Sequence, residues 1–181
     1  MALTQTQVSE LYVAIFNRAS EGSGNEFWQL LDSVEFAATE MLATSDAILY
    51  FGTALDTNQA FIEWIYLNTL NKTYAQDQTG VDFWVAALDG GFTRGFIVSE
   101  LVTAAQHPDN AGVAQDQFLN RVAVSNYTAT ILYDTPADYA TSLRFDRDLT
   151  VTDDIGTVTT AKAQVEALVT VTGTTFVLTS G

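Results

Sequence analysis

Ile62–Leu88 reads IEWIYLNTLNKTYAQDQTGVDFWVAAL, and Val8–Leu31 is a diverged copy of it. Ile62, Ile65, Tyr66, Thr69 and Leu70 stand where Val8, Leu11, Tyr12, Ile15 and Phe16 stand, at an offset of 54 residues. Both sets fall at i, i+3, i+4, i+7 and i+8, the spacing of one apolar helix face. Each helix then ends on Asn plus a cation, Asn71-Lys72 and Asn17-Arg18. A polar loop with glycine follows, and then an aromatic pair, Phe83-Trp84 matching Phe27-Trp28. The copies continue, since Phe96, Glu100 and Leu101 match Phe36, Glu40 and Met41.

Working outward, Thr4 and Gln7 form a capping-box pattern before the first helix, with Leu3 and Val8 placed as a hydrophobic staple. That helix is expected to reach about Arg18, where Ala19–Gly24 breaks it. Ile48–Phe51 forms a short apolar segment between the copies. The second copy is expected to stop near His107-Pro108, because proline disfavours helix in the residue before it. A further helix is expected over Val113 to about Leu132, and a short helical period recurs over Ala161–Val169. Val171–Thr179 is rich in β-branched residues and reads as strand. The fold class expected is mostly α: two similar short-helix repeat units, further helices, and minor β near the C-terminus. The units divide as 1–56 for the first repeat and 57–133 for the second with its following helix. Residues 134–181 are expected to form an irregular, β-containing connection toward a C-terminal region of a longer protein.

The chain has 181 residues, 22 acidic and 7 basic, for a net charge of −15, with 48% hydrophobic residues and no cysteine. A nucleic-acid binder or a protein held on an anionic membrane surface needs the opposite sign. Thiolate metal sites and disulfides are excluded. The opening MALTQTQVSELY has neither the basic nor the apolar region of a secretory signal, and no run is long enough for a membrane span. No nucleophile elbow, phosphate loop or dinucleotide fingerprint is present, so a non-enzyme is expected.

Trp64 and Tyr74 have no apolar counterpart in the first copy, where Glu10 and Ser20 stand, so they are expected at the surface as sugar-stacking faces. Asn68, Asn71 and Lys72 lie beside them in sequence and complete a candidate carbohydrate patch, with Arg18 as a further contact for phosphate or sugar hydroxyls. Trp28 and Trp84 read more simply as core. Asp77 and Asp82 flank the glycine-bearing loop and are the candidate Ca²⁺ ligands, oxygen being the donor this ion takes. A solvated acidic loop is the plainer reading of both. His107 has no catalytic or metal partner in the sequence.

LYVAIFNRASEGSGNEFW, at Leu11–Trp28, resembles the opening of the surface-layer proteins of some Gram-negative bacteria, in which A-S-E-G-x-G-N-x-aromatic-W follows the first helix. The second copy looks like the broader helical repeat found beside calcium-binding nonapeptide regions (the RTX kind) of secreted proteins. It departs from that repeat in carrying Asn-Lys for Gly-Arg and two extra residues before Gly80. The resemblance covers roughly Leu3 to Gln106. It implies an N-terminal region that anchors a surface lattice by binding lipopolysaccharide, on a protein exported by a type I system to the outer cell surface. Neighbouring copies in the lattice are the other implied partner, and neither nucleic acid nor membrane insertion is. The alternatives are a protein–protein lattice or adhesin module of a secreted calcium-binding protein, and an acidic glycosidase. A domain of this charge meets repulsion at the phosphate-rich inner core, screened over about 8 Å. Either Ca²⁺ bridges carboxylates to phosphate or the outer, uncharged polysaccharide is the target, and the second is expected.

Overall fold

The computed structural model describes residues 2–134 and 143–171. The helices are α1 (Gln5–Leu11), continued by a π-helical segment (Tyr12–Phe16), then α2 (Gly22–Gln29), α3 (Val34–Leu42) and α4 (Ser45–Phe51). They continue as α5 (Asn58–Leu70), α6 (Gln78–Asp89), α7 (Arg94–Gln106), α8 (Val113–Ile131) and α9 (Ile155–Val171). The mostly helical class is therefore correct. No strand occurs among the described residues, which hold one isolated antiparallel bridge, Arg18 to Arg144. The expected strand does not begin at Val171, which still belongs to α9; the rest of that stretch lies outside the described residues.

Local sequence explains the ends of the first elements. Thr4 and Gln7 make the capping box reciprocally: the Gln7 N–H donates to Thr4 Oγ1 and the Thr4 N–H to Gln7 Oε1. The first helix stops two residues short of Arg18, because Asn17 turns left-handed (φ 48°, ψ 42°). Asn71 ends α5 the same way (φ 51°, ψ 37°), and among the described residues these are the two non-glycine positions with positive φ. Asn tolerates this conformation better than any larger side chain, and it closes a helix there by bonding back to the last turn.

The copies match in three dimensions as well as in sequence. Phe27 and Trp28 meet edge to face at 5.0 Å and 81°, and Phe83 and Trp84 do so at 5.0 Å and 79°. Ser33 caps α3 through the Phe36 N–H, as Thr93 caps α7 through the Phe96 N–H. The first helices of the copies touch, with Asn68 Nδ2 donating to Ala14 O at 3.0 Å. The third helices touch at Gly95, where a Cβ would fall 2.6 Å from Glu35 O. Both contacts join equivalent positions of the two copies. The copies thus share one core, with Val8, Leu11, Ile15, Met41, Ile62, Ile65, Ile97 and Leu101 fully buried.

Residues 143–171 pack back onto this body. The Ala19 N–H donates to Leu143 O and the Phe145 N–H to Asn17 O, while Leu143, Phe145, Leu149 and Val151 are buried. The buried Arg121 of α8 ties the parts together. Its Nη1 donates to Asn17 Oδ1 at 3.2 Å, its Nε to Val151 O, and its guanidinium lies over the Phe145 ring. Burial pushes its pKa down to about 10.

Candidate functional site

The matching loops between the first and second helices are built to the same plan. In the first copy Tyr12 Oη donates to Glu21 Oε1 (3.3 Å), and Arg18 Nη1 pairs with Glu21 Oε2 (2.7 Å). In the second, Tyr66 Oη donates to Asp77 Oδ2 (2.7 Å), and Lys72 Nζ pairs with the same oxygen at 3.7 Å. Gly24 and Gly80 pass beside the two tyrosine hydroxyls, too close for a Cβ. The bond from Tyr66 holds the Asp77 carboxyl below the usual carboxylate range. Burial and the bond to Asp77 push the Tyr66 phenol up.

The first loop is covered. Ser20, Asn25, Ser9 and Ser125 form a buried polar cluster, with Ser20 and Ser125 hydroxyls 3.0 Å apart and Asn25 Nδ2 donating to Ser20 Oγ at 2.9 Å. The Gly22 and Ser23 N–H groups, unpaired within their own helix turn, donate to Leu132 O and Tyr133 O at the end of α8. The A-S-E-G-x-G-N string is therefore a packing motif in this chain.

The second loop is open, and it forms one wall of a surface groove of about 330 Å³. Tyr74 and Thr73 come from the loop, Ala60, Glu63, Trp64 and Leu67 from α5, and Phe51, Thr53 and Ala54 from α4 and the 3₁₀ turn after it. The Trp64 indole packs edge to face on Tyr50 (5.3 Å), and its Nε1–H is buried without an acceptor in the protein. Glu63 Oε1 accepts from Gln59 Nε2 at 2.6 Å. Asp82 raises the pKa of the Tyr74 phenol. Aromatic faces, two threonine hydroxyls and a carboxylate in one cleft can stack on a sugar ring and accept or donate to its hydroxyls.

The structure brings Trp64 and Tyr74 together, both half-buried where an exposed position was expected. It takes the other candidates elsewhere. Asn68 is 4% exposed, donates to Ala14 O and accepts from Tyr50 Oη, so it is an internal tie. Asn71 is exposed at the helix end, outside the groove lining; Lys72 is engaged with Asp77, and Arg18 with Glu21 and the Tyr12 face at 4.8 Å. Asp77 caps α6 through the Gly80 N–H and receives Tyr66, while Asp82 is exposed. Among the described residues no three His, Asp or Glu side chains converge on a point that could hold a metal ion. Asp146 and Asp148 pair with Arg144 and Arg147, and Asp154 caps α9 through the Gly156 N–H. Trp28 and Trp84 pack against the core, and His107 is exposed, accepting the Asp109 N–H.

Sequence reading missed Phe51, Thr53, Glu63 and Leu67. Ala60, Glu63 and Leu67 form a second helical stripe beside the apolar one, and that spacing was a usable signal. Glu10 is the counterpart of Trp64 in the first copy. It is 9% exposed, and burial pushes its carboxyl up to about 7 against a hydrogen bond from Gln106.

Among the described residues no helix is long and apolar enough to cross a membrane. Comparison with known proteins matches residues 38–110 to a family described as a domain of unknown function (DUF4214). That span runs from within α3 to the 3₁₀ turn after α7, so it holds the second copy and the whole groove lining, in less than half of the chain. No curated protein and no solved structure matches the chain.

Proposed function

We propose that this chain is a non-catalytic anchoring region of a bacterial surface-layer protein, exported by a type I system and held on the outer cell surface by binding lipopolysaccharide. The target is the outer polysaccharide, and the groove of Trp64, Tyr74 and Phe51 is its site. The observation that carries this reading is the pairing of an aromatic cleft with a net charge of −15. Such a surface gains from stacking on uncharged rings and is repelled by inner-core phosphate. The sequence resemblance supplies the biological setting. Calcium enters this reading as a stabiliser of the fold and not as the bridge.

The test is co-sedimentation with purified lipopolysaccharide, intact and stripped of its outer polysaccharide, with and without chelator. The expected result is retention by the intact form alone, insensitive to chelator and lost in Trp64→Ala. Equal retention by the stripped form, abolished by chelator, overturns the groove in favour of a calcium bridge. A second reading, a protein–protein lattice or adhesin module, draws on exposed apolar side chains such as Leu30 (77%) and Leu49 (80%). It predicts self-association without lipopolysaccharide.

A further inference from the structure

The two copies are built alike, yet their corresponding surfaces are treated differently. Over the first copy lies α8. Gln5 Nε2 donates to Asn126 O, Asn126 Nδ2 donates to Thr6 Oγ1, and the Ser20 N–H donates to Ser125 Oγ. Gly22 meets α8 so closely that a Cβ would fall 2.7 Å from Ala129 O. Moved by the repeat offset, Thr6, Ser9 and Val13 become Ala60, Glu63 and Leu67, three of the groove-lining residues. At the loop offset of 56 residues, Gly22 becomes Gln78, which is exposed. The helix in the comparable chain position after the first copy is α4, of 7 residues against 19 in α8. It lends Phe51 to one wall and leaves the rest uncovered.

We infer that the chain carries one glycan subsite, not two: α8 closes the first copy's surface, and the second copy's groove reads a short non-acidic segment, with Glu63 setting the discrimination against acidic sugars. This rests on the polysaccharide reading and narrows it. The volume, at the low end for small-ligand sites, suits about one or two rings. Glu63 is the one ionisable carboxylate in the lining, and Asp82 acts on Tyr74 from nearby. Lys72, next in sequence to the lining residue Thr73, is engaged by Asp77. The lining itself holds no cation, so a uronic acid in the groove meets the Glu63 charge without compensation from the groove walls.

The experiment follows the indole N–H resonances of Trp28, Trp64 and Trp84 in the isotope-labelled chain, assigned with single Trp→Phe variants. The probes are neutral dextran and chitin oligosaccharides and an acidic oligogalacturonate, each titrated into wild type and Glu63→Gln. Neutral oligosaccharide is expected to move Trp64 alone, saturating at one per chain, with the acidic probe roughly tenfold weaker. Glu63→Gln is expected to bring the two probes within about threefold of each other. Saturation at two per chain, movement of Trp28 and Trp84 without Trp64, equal affinity for the acidic probe, or no response to any oligosaccharide overturns the inference. Oligosaccharide binding at Trp64 without retention by lipopolysaccharide leaves the groove standing and removes the anchoring reading. Retention with Trp64 silent does the reverse.

Discussion

Tyr66 Oη donates to Asp77 Oδ2 at 2.7 Å, the same relationship that Tyr12 and Glu21 make in the first copy. It holds the loop that carries Tyr74 against α5, so it sets one groove wall. Tyr66→Phe is expected to lower stability by about 1–2 kcal/mol, measured by denaturant unfolding. The Asp77 pKa is depressed in the folded state, so its contribution is present above the unfolded value and is lost as pH falls through the folded one. The stability difference between wild type and Asp77→Asn should therefore shrink in acid.

Glu10 behaves in the opposite sense. Its folded pKa stands near 7 against an ordinary 4.5, so the folded state favours the protonated acid. Stability from this group is complete below about 4.5 and is lost as pH rises through 7. Glu10→Gln should be more stable than wild type at pH 8 by on the order of 2 kcal/mol, and nearly equal at pH 4. Thermal unfolding at the two pH values checks it.

The two left-handed asparagines separate conformation from contact. Asn71 is exposed, so Asn71→Gly should be neutral within a few tenths of a kcal/mol, and Asn71→Ala should cost about 1 kcal/mol. Asn17→Gly keeps the backbone but removes the acceptor of buried Arg121, and should cost about 1–3 kcal/mol. Equal tolerance of glycine at both sites would contradict the role given to Arg121.

Groove and interior should also part cleanly. Tyr74→Ala is expected to weaken polysaccharide binding about tenfold or more with little change in unfolding midpoint, since it removes a stacking face from a half-buried loop side chain. Asn68→Ala is expected to cost about 1–3 kcal/mol of stability, because Ala14 O and Tyr50 Oη lose their partner. Side-by-side melting and co-sedimentation distinguish the two.

The cover over the first copy gives a paired test. Gly22→Ala should destabilise by about 1–3 kcal/mol, as its Cβ meets α8 backbone, whereas Gln78→Ala at the matching, exposed position should change little.

By itself the sequence determined the elements. Apolar side chains at helical spacing mark the helices, and Thr4 with Gln7, the left-handed Asn stops and the Phe-Trp pairs are local patterns formed within a turn or two of their own backbone. The repeat was legible for the same reason, since duplicated packing demands duplicated residues. Tertiary structure decided what each copy's surface became. The two copies carry the same helical stripe, and only the path of α8, fixed by contacts such as Asn126 to Thr6 across more than a hundred residues, covers one and leaves the other. Asn68 and Trp64 sit one turn apart on α5, yet one faces Ala14 and the other the groove. That choice depends on which neighbour arrives on each side of the helix; spacing along the chain marks the stripes without saying what covers each.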